Sequence, residues 1–189
     1  MPNEVLVRAT ETLVAYLEHL YEGWEGVKQF GETPDRLVRM YGEFCWTNEK
    51  IESELAKVFR SFKNGYNEML VKRDIEVWTL CPHHLLPCEF KVTIGYIPDK
   101  YVLGLSKFSR VADILSHRPI MQEEYSTELA DRLMKGLQPK GVAVYVVGIH
   151  GCITARGVRQ HSEVITSTLR GCFMEQPETR QEFFAICRS

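Results

Sequence analysis

The segment LCPHHLLPCEF, Leu80 to Phe90, packs two cysteines and two histidines into a short stretch. Cys81 and His84 form a C-x-x-H pair, close enough to share one metal ion. Alone, such a pair is more often an accident, with His84 an ordinary loop histidine. A second group lies in GIHGCI, where His150 and Cys152 are two apart. In an extended chain these two point to one face, the face continued by Val142, Val144 and Val146. A thiolate from this strand completes a Cys-His-Cys set with Cys81 and His84. Three protein ligands with one open position describe a catalytic zinc rather than a closed structural one. A zinc of that kind lowers the pKa of its water to about 7. Spacing does not decide between this set and rivals that use His83, His150 or Cys88.

Basic residues recur at helical spacing. Lys107 and Arg110 share one helix face, Arg36 and Arg39 another, and Arg156 follows the HGC segment. Each by itself is an ordinary solvated charge. Converging, they suit a polyanion such as a triphosphate. Gln122 and Glu123 lie just before a helix. They suit an amide–amine edge such as that of guanine, although first-turn acids are common without a ligand.

These residues need elements to carry them. VLVRATETLVAYLEHLY places Leu6, Ala9, Leu13, Leu17 and Leu20 on one stripe of an amphipathic helix. Thr33 and Pro34 mark the start of a second helix, with Leu37, Tyr41 and Phe44 inward. A third follows Asn48, with Ile51, Leu55, Val58, Phe59 and Phe62 inward, and NGYNEML (64–70) reads as a connector. From Asp74 the period changes to that of strands, in DIEVWTL and FKVTIGYIP. The Cys81–Cys88 stretch is the loop between them. Ser106 caps a helix with Phe108, Val111, Ala112 and Leu115 inward, ended by Pro119. Another helix runs from about Thr127, with Leu129, Leu133, Met134 and Leu137 inward. GVAVYVVGIHGCITARG and EVITSTLRGCF supply two more strands, followed by a short tail. The expected architecture is α+β with an antiparallel sheet. An N-terminal helical region (1–66) leads into a catalytic region (67–189), within one compact domain overall.

The 189 residues carry a net charge of −2 and are 44% hydrophobic, enough for a core. No basic run points to nucleic acid, and no apolar run approaches the roughly 20 residues of a membrane span. The N-terminal segment carries acids early and lacks the apolar stretch of a secretory signal. The six cysteines are scattered and read as reduced thiols of a cytoplasmic protein.

The blocks CPHHLLP, YIPDKYVLGLSKFSR, RPIMQE, GVAVYVVGIHGCITARGVR and TSTLRGCF, with ETPDRLVRMY before them, resemble the signature blocks of GTP cyclohydrolase I, type I. The resemblance runs in order from about Glu32 to TRQEFF (179–184). It implies the tunnelling fold, in which four-stranded antiparallel sheets of several subunits join into a barrel with helices outside. It also implies a toroidal homodecamer with active sites between subunits. The implied reaction hydrolyses the imidazole ring of GTP at C8, releases formate and rearranges the product to 7,8-dihydroneopterin triphosphate. Carried over by position, Cys81, His84 and Cys152 resemble the ligands of one zinc ion (Zn2+) per subunit. His83 and His150 resemble the proton-handling histidines, and Ser106 the serine near the ribose. Gln122 and Glu123 resemble the guanine anchors. Lys107, Arg110 and Arg156 resemble the triphosphate contacts, with Arg36 and Arg39 as further basic candidates. Cys88 matches no functional position and reads as loop packing.

One departure stands out. The family usually has Glu between the zinc cysteine and the first histidine, where this chain has Pro82. A tolerated loop variant is the leading reading. The alternatives are a paralogue that stops at the ring-opened formamidopyrimidine nucleotide, a related enzyme acting on another purine or pterin, and a non-catalytic zinc- and nucleotide-binding protein. A three-ligand site weighs against the last, since a structural zinc is closed by four protein ligands.

Overall fold

A computed structural model describes residues 4–59, 61–63 and 65–188. The chain forms two compact units, Met1–Cys45 and Trp46–Ser189. No described helix is long and apolar enough to cross a membrane.

The first unit holds helix α1 (Glu4–Leu20), a 3-10 segment (Glu25–Glu32) and helix α2 (Thr33–Phe44). Helix α1 buries Thr10 and Val14, with Leu6, Val7 and Leu17 half-buried. Ala9, Leu13 and Leu20 of the expected stripe face outward instead. The helix is apolar over more than one face, so three- and four-residue spacing fits two overlapping stripes, and the neighbours within the unit select one. Pro34 lies in the first turn of α2 as expected, and Glu32, not Thr33, holds the cap position.

The second unit begins with α3 (Asn48–Val58), whose first turn is capped by the Thr47 hydroxyl accepting from the Lys50 N–H at 3.2 Å. Ile51, Leu55 and Val58 are buried as the periodicity requires. Phe62 is not. It lies exposed on β1 (Ser61–Lys63), which pairs with β4 (Tyr101–Leu103) in a ribbon that the sequence reading lacked. Of the connector expected at 64–70, Asn64 lies outside the described residues.

The main sheet has four antiparallel strands in the order β2 (Leu70–Leu80), β3 (Pro87–Ile97), β5 (Gly141–His150), β6 (Val164–Gly171). Two helices, α4 (Leu105–Ser116) and α5 (Gln122–Leu137), lie between the strand pairs in sequence. Their apolar faces, including Phe108, Val111, Leu115, Leu129 and Leu133, form one core with Phe90, Val92, Ile94, Val144 and Val146 of the sheet. Helix α5 starts five residues before the expected Thr127, at Gln122. Ser106 is the second residue of α4, and Gly104 takes the cap position.

The sheet's other face is covered at one end by α7 (Cys172–Glu175) and α8 (Pro177–Arg188), which replace the expected tail. Phe173 and Phe183 pack there with Ala143. Gly95 lies beneath Phe183, whose ring would sit 2.6 Å from an added Cβ. At the other end of that face, Trp78 and Ile165 are exposed.

Register sets the geometry that matters for the site. Cys88 pairs with His150 at one end of the β3–β5 ladder, and Ile97 pairs with Gly141 at the other. The cysteine–histidine loop and the HGC segment therefore meet at the same end of the sheet.

Candidate active site

Strand β2 ends at Leu80, and Cys81 opens a single turn. The Leu85 N–H donates to the Cys81 carbonyl at 2.8 Å, and the Cys81 N–H donates to the Leu86 carbonyl at 2.9 Å. Leu85, at φ 52°, closes the turn in the left-handed region. Pro82 occupies the first position inside it, where a fixed φ suits a helical turn. Its preference for an extended preceding residue fits Cys81 at a strand end.

The turn puts His84 Nδ1 3.6 Å from Cys81 Sγ and His83 Nδ1 4.0 Å from the same sulfur. The two imidazoles stand edge to face, centroids 6.3 Å apart. Cys152 arrives from the other side of the ladder. Strand β5 stops at His150, so Cys152 is carried on a helical turn, α6 (Gly151–Thr154), and not on extended chain. The two-residue alternation expected for His150 and Cys152 therefore does not apply. The turn brings them near each other by a different route.

Ligand atoms of Cys81, His84 and Cys152 all lie within 4.8 Å of one another. Two sulfurs and an imidazole nitrogen at tetrahedral corners have edges of about 3.5–3.8 Å, by their usual bond lengths to zinc. The Cys81–His84 edge meets that spacing, and the donor set suits a borderline-soft divalent cation. Cys81 is buried, Cys152 half-buried and His84 exposed, so the group opens to solvent on the histidine side. Burial, with Cys81 beside it, pushes the Cys152 thiol above its usual range, and the Arg156 charge opposes this.

Four further expected residues gather here. Arg156 Nη1 lies 2.7 Å from His84 Nε2. His150 is half-buried against Phe90, with centroids 5.7 Å apart. Burial lowers its pKa, and nearby Glu123 partly offsets this. Glu123 itself is exposed in the first turn of α5. Gln122 also comes to the site but points inward. It is 2% exposed and bonded to His150 and to the sheet.

Ser106, Lys107 and Arg110 are not brought to this group within one chain. Phe108 of α4 packs on Tyr96, centroids 4.9 Å apart, and Tyr96 is eight residues along β3 from Cys88. The start of α4 therefore lies toward the end of β3 opposite the metal-ligand group. Arg36 and Arg39 are exposed on α2 in the first unit, and Arg36 pairs with Glu32 at 2.8 Å.

Cys88 was read as loop packing, and the structure gives it a partner. It is buried, the second residue of β3, with Sγ 3.4 Å from His150 Nδ1. Burial first, then the neighbouring Cys152 and Cys81, push its thiol up to about 12. In β3 Cys88 shares the inward face with Phe90 and Val92, and only the register shows what it meets there.

The sequence profile of GTP cyclohydrolase I matches residues 10–188. The GTP cyclohydrolase 1 of Aquifex aeolicus (strain VF5) is 44% identical over 165 residues, covering 87% of this chain and 85% of its own. That of Sulfurihydrogenibium sp. (strain YO3AOP1) is 43% identical over 159 residues, covering 84% and 82%. That of Hydrogenobaculum sp. (strain Y04AAS1) is 41% identical over 165 residues, covering 87% and 86%. A match over nearly the whole chain, joined to a cysteine–histidine–cysteine group at the end of an antiparallel sheet, settles the family: the chain belongs to the GTP cyclohydrolase I family.

Proposed function

We propose that this protein is a zinc-dependent GTP cyclohydrolase I, hydrolysing GTP at C8 to release formate and form 7,8-dihydroneopterin triphosphate. The observation that carries the reading is the convergence of Cys81, His84 and Cys152 beside two further histidines, His83 and His150. Three protein donors leave one position for water or substrate. Zinc, held there, supplies Lewis acidity and activates water at neutral pH.

The chain's own groups do the rest. Purine C8 becomes a good electrophile when N7 is protonated, and His83, exposed beside Cys81, is placed to supply that proton. His150 handles protons from the buried side. Glu123, exposed at the start of α5 and close to His150, accepts from guanine N–H groups. Arg156 reaches the triphosphate from beside His84, and its binding energy holds C8 in place.

Ser106, Lys107 and Arg110 complete the site from a neighbouring copy, with Arg36 and Arg39 as further basic candidates. Two features support assembly. Strands β2 and β6 each pair with only one neighbour in the sheet among the described residues, and such edges invite further pairing. Trp78 and Ile165 expose apolar surface beside them. The toroidal homodecamer of the family accounts for both. Six free cysteines fit a cytoplasmic location.

The test incubates zinc-loaded protein with GTP and follows formate and pterin fluorescence together. Both products are expected. Ring-opened formamidopyrimidine nucleotide without formate would assign a partial hydrolase, and no turnover at all would defeat the enzymatic reading.

A further inference from the structure

His150 is held at both ring nitrogens. Nε2 lies 2.8 Å from Gln122 Oε1, and Nδ1 lies 3.4 Å from Cys88 Sγ. The orientation of the Gln122 amide is dictated by its other contacts. Its nitrogen faces the carbonyl oxygens of Val146 at 3.1 Å and Val164 at 2.9 Å, and the Thr166 hydroxyl at 3.2 Å. A carbonyl oxygen only accepts, so the group facing two of them must be the NH2. Oε1 is thereby turned to His150, and only an N–H satisfies it. The proton of neutral His150 must then sit on Nε2, leaving the lone pair on Nδ1.

Gly148 supplies a separate observation. A Cβ at this strand position would collide with Gln122 Oε1 and approach His150 Nε2 to 3.1 Å. The strand gives up a side chain where this hydrogen bond passes, as glycine in a strand does where another group approaches closely. On the other side of the ring, Cys88 is 1% exposed, with Sγ 3.4 Å from Nδ1, and the Leu86 carbonyl at 3.8 Å competes for its S–H. A thiol is a weak donor, so a stronger one can displace it from Nδ1.

We propose that Gln122 is a positioning residue, and not a reader of guanine: it fixes His150 in the Nε2–H tautomer and so makes Nδ1, beside Cys88, the atom that takes and returns protons. Burial agrees with this. Gln122 is 2% exposed, and its amide N–H groups are committed to the sheet. The inference rests on the cyclohydrolase reading of the site, in which His150 moves protons.

Two measurements on zinc-loaded, full-length protein test it. In 15N-histidine-labelled protein, with His150 assigned by comparison with His150→Gln, the imidazole shifts should report the Nε2–H tautomer. The Nδ1–H tautomer in wild type would overturn the proposal, and this readout does not depend on turnover. In Gln122→Met the same resonances should move to a mixture of tautomers. Steady-state kinetics of that variant should show kcat for formate release lowered by about 10- to 100-fold, less than the loss of a general acid–base group itself, with KM for GTP changed less than about threefold. A KM raised tenfold or more at near-wild-type kcat would assign Gln122 to guanine and reject the inference. Gly148→Ala, which leaves Gln122 in the sequence, should lower kcat in the same direction, and wild-type kcat together with an unchanged His150 tautomer there would count against it. If wild-type protein releases no formate, the cyclohydrolase reading fails, while the tautomer measurement still decides the hydrogen bond.

Discussion

Arg156 Nη1 lies 2.7 Å from His84 Nε2, so one hydrogen bond joins a metal-ligand candidate to a phosphate-binding candidate. A guanidinium only donates, so Nε2 accepts and the His84 proton sits on Nδ1, facing Cys81 Sγ at 3.6 Å. A metal held through Nδ1 requires the proton on Nε2 instead, which releases the guanidinium for an anion. Arg156→Gln should therefore raise KM for GTP by about 10- to 100-fold, from the roughly 1.5–3 kcal/mol of a hydrogen bond to a charged group. Zinc content should stay near wild type. Steady-state kinetics and metal analysis check the two halves, and loss of zinc with unchanged KM would make Arg156 a support for the ligand only.

Cys152→Ser should lower zinc affinity by at least about 100-fold, beyond the usual effect of removing an outer-shell partner. Thiolate is the softer and tighter donor. The sheet should survive, because Cys152 is half-buried on a four-residue turn and the main core lies on the sheet itself. Chelator competition measures the affinity and circular dichroism the fold. Wild-type zinc retention would remove Cys152 from the site.

How far the sequence showed this arrangement depends on how local each contact is. Cys81, His83 and His84 share one turn, so their spacing already brought them together. Cys152 was legible by type, but a four-residue helical turn has no period to betray it. Gln122 begins QEE, which reads as a polar helix start. Its inward turn depends on carbonyls of Val146 and Val164, distant in sequence. Nor does any local pattern reveal that Ser106, Lys107 and Arg110 sit at the far end of β3. That follows from strand length and register. Phe62, expected on the same stripe as α3, lies exposed on β1, whereas Ile51, Leu55 and Val58 of α3 and the inward residues of α4 were legible because each helix has a single apolar face. On α1, with more than one, the same reasoning chose Ala9, Leu13 and Leu20, which the structure exposes.

Alkaline pH should destabilise the fold through Cys187. Burial pushes its thiol from the model-peptide range near 9 up to about 11, against the opposing charges of Arg73 and Arg188. The unfolded chain loses this proton first, so between about pH 9 and 11 the native state holds more protons and stability falls as pH rises. Below that window the contribution is fully present. Cys187 is only half-buried, so solvent screening reduces the contribution to on the order of 1 kcal/mol. Urea midpoints at pH 8 and pH 10.5 should converge in Cys187→Ala relative to wild type, after allowing for the cavity. An unchanged difference between the two pH values would place the alkaline sensitivity elsewhere, with Cys172, also raised by burial, the next thiol to substitute.

Pro82→Glu should change kcat/KM for formate release by less than about tenfold, or roughly 1.4 kcal/mol in barrier. The reason lies in the turn's hydrogen bonds. Its two closing bonds use the N–H groups of Leu85 and Cys81, so the N–H that proline lacks is not called upon. The ring sits exposed, so glutamate meets no steric obstacle there. What proline adds is stiffness at the entry to a turn that carries one metal ligand and one acid, a gain of about 0.4–1 kcal/mol through the unfolded chain. Pro82→Glu should accordingly lower the melting temperature slightly while leaving the products unchanged. Formamidopyrimidine nucleotide accumulating in the wild type, with formate restored in Pro82→Glu, would show instead that the proline halts the reaction at ring opening.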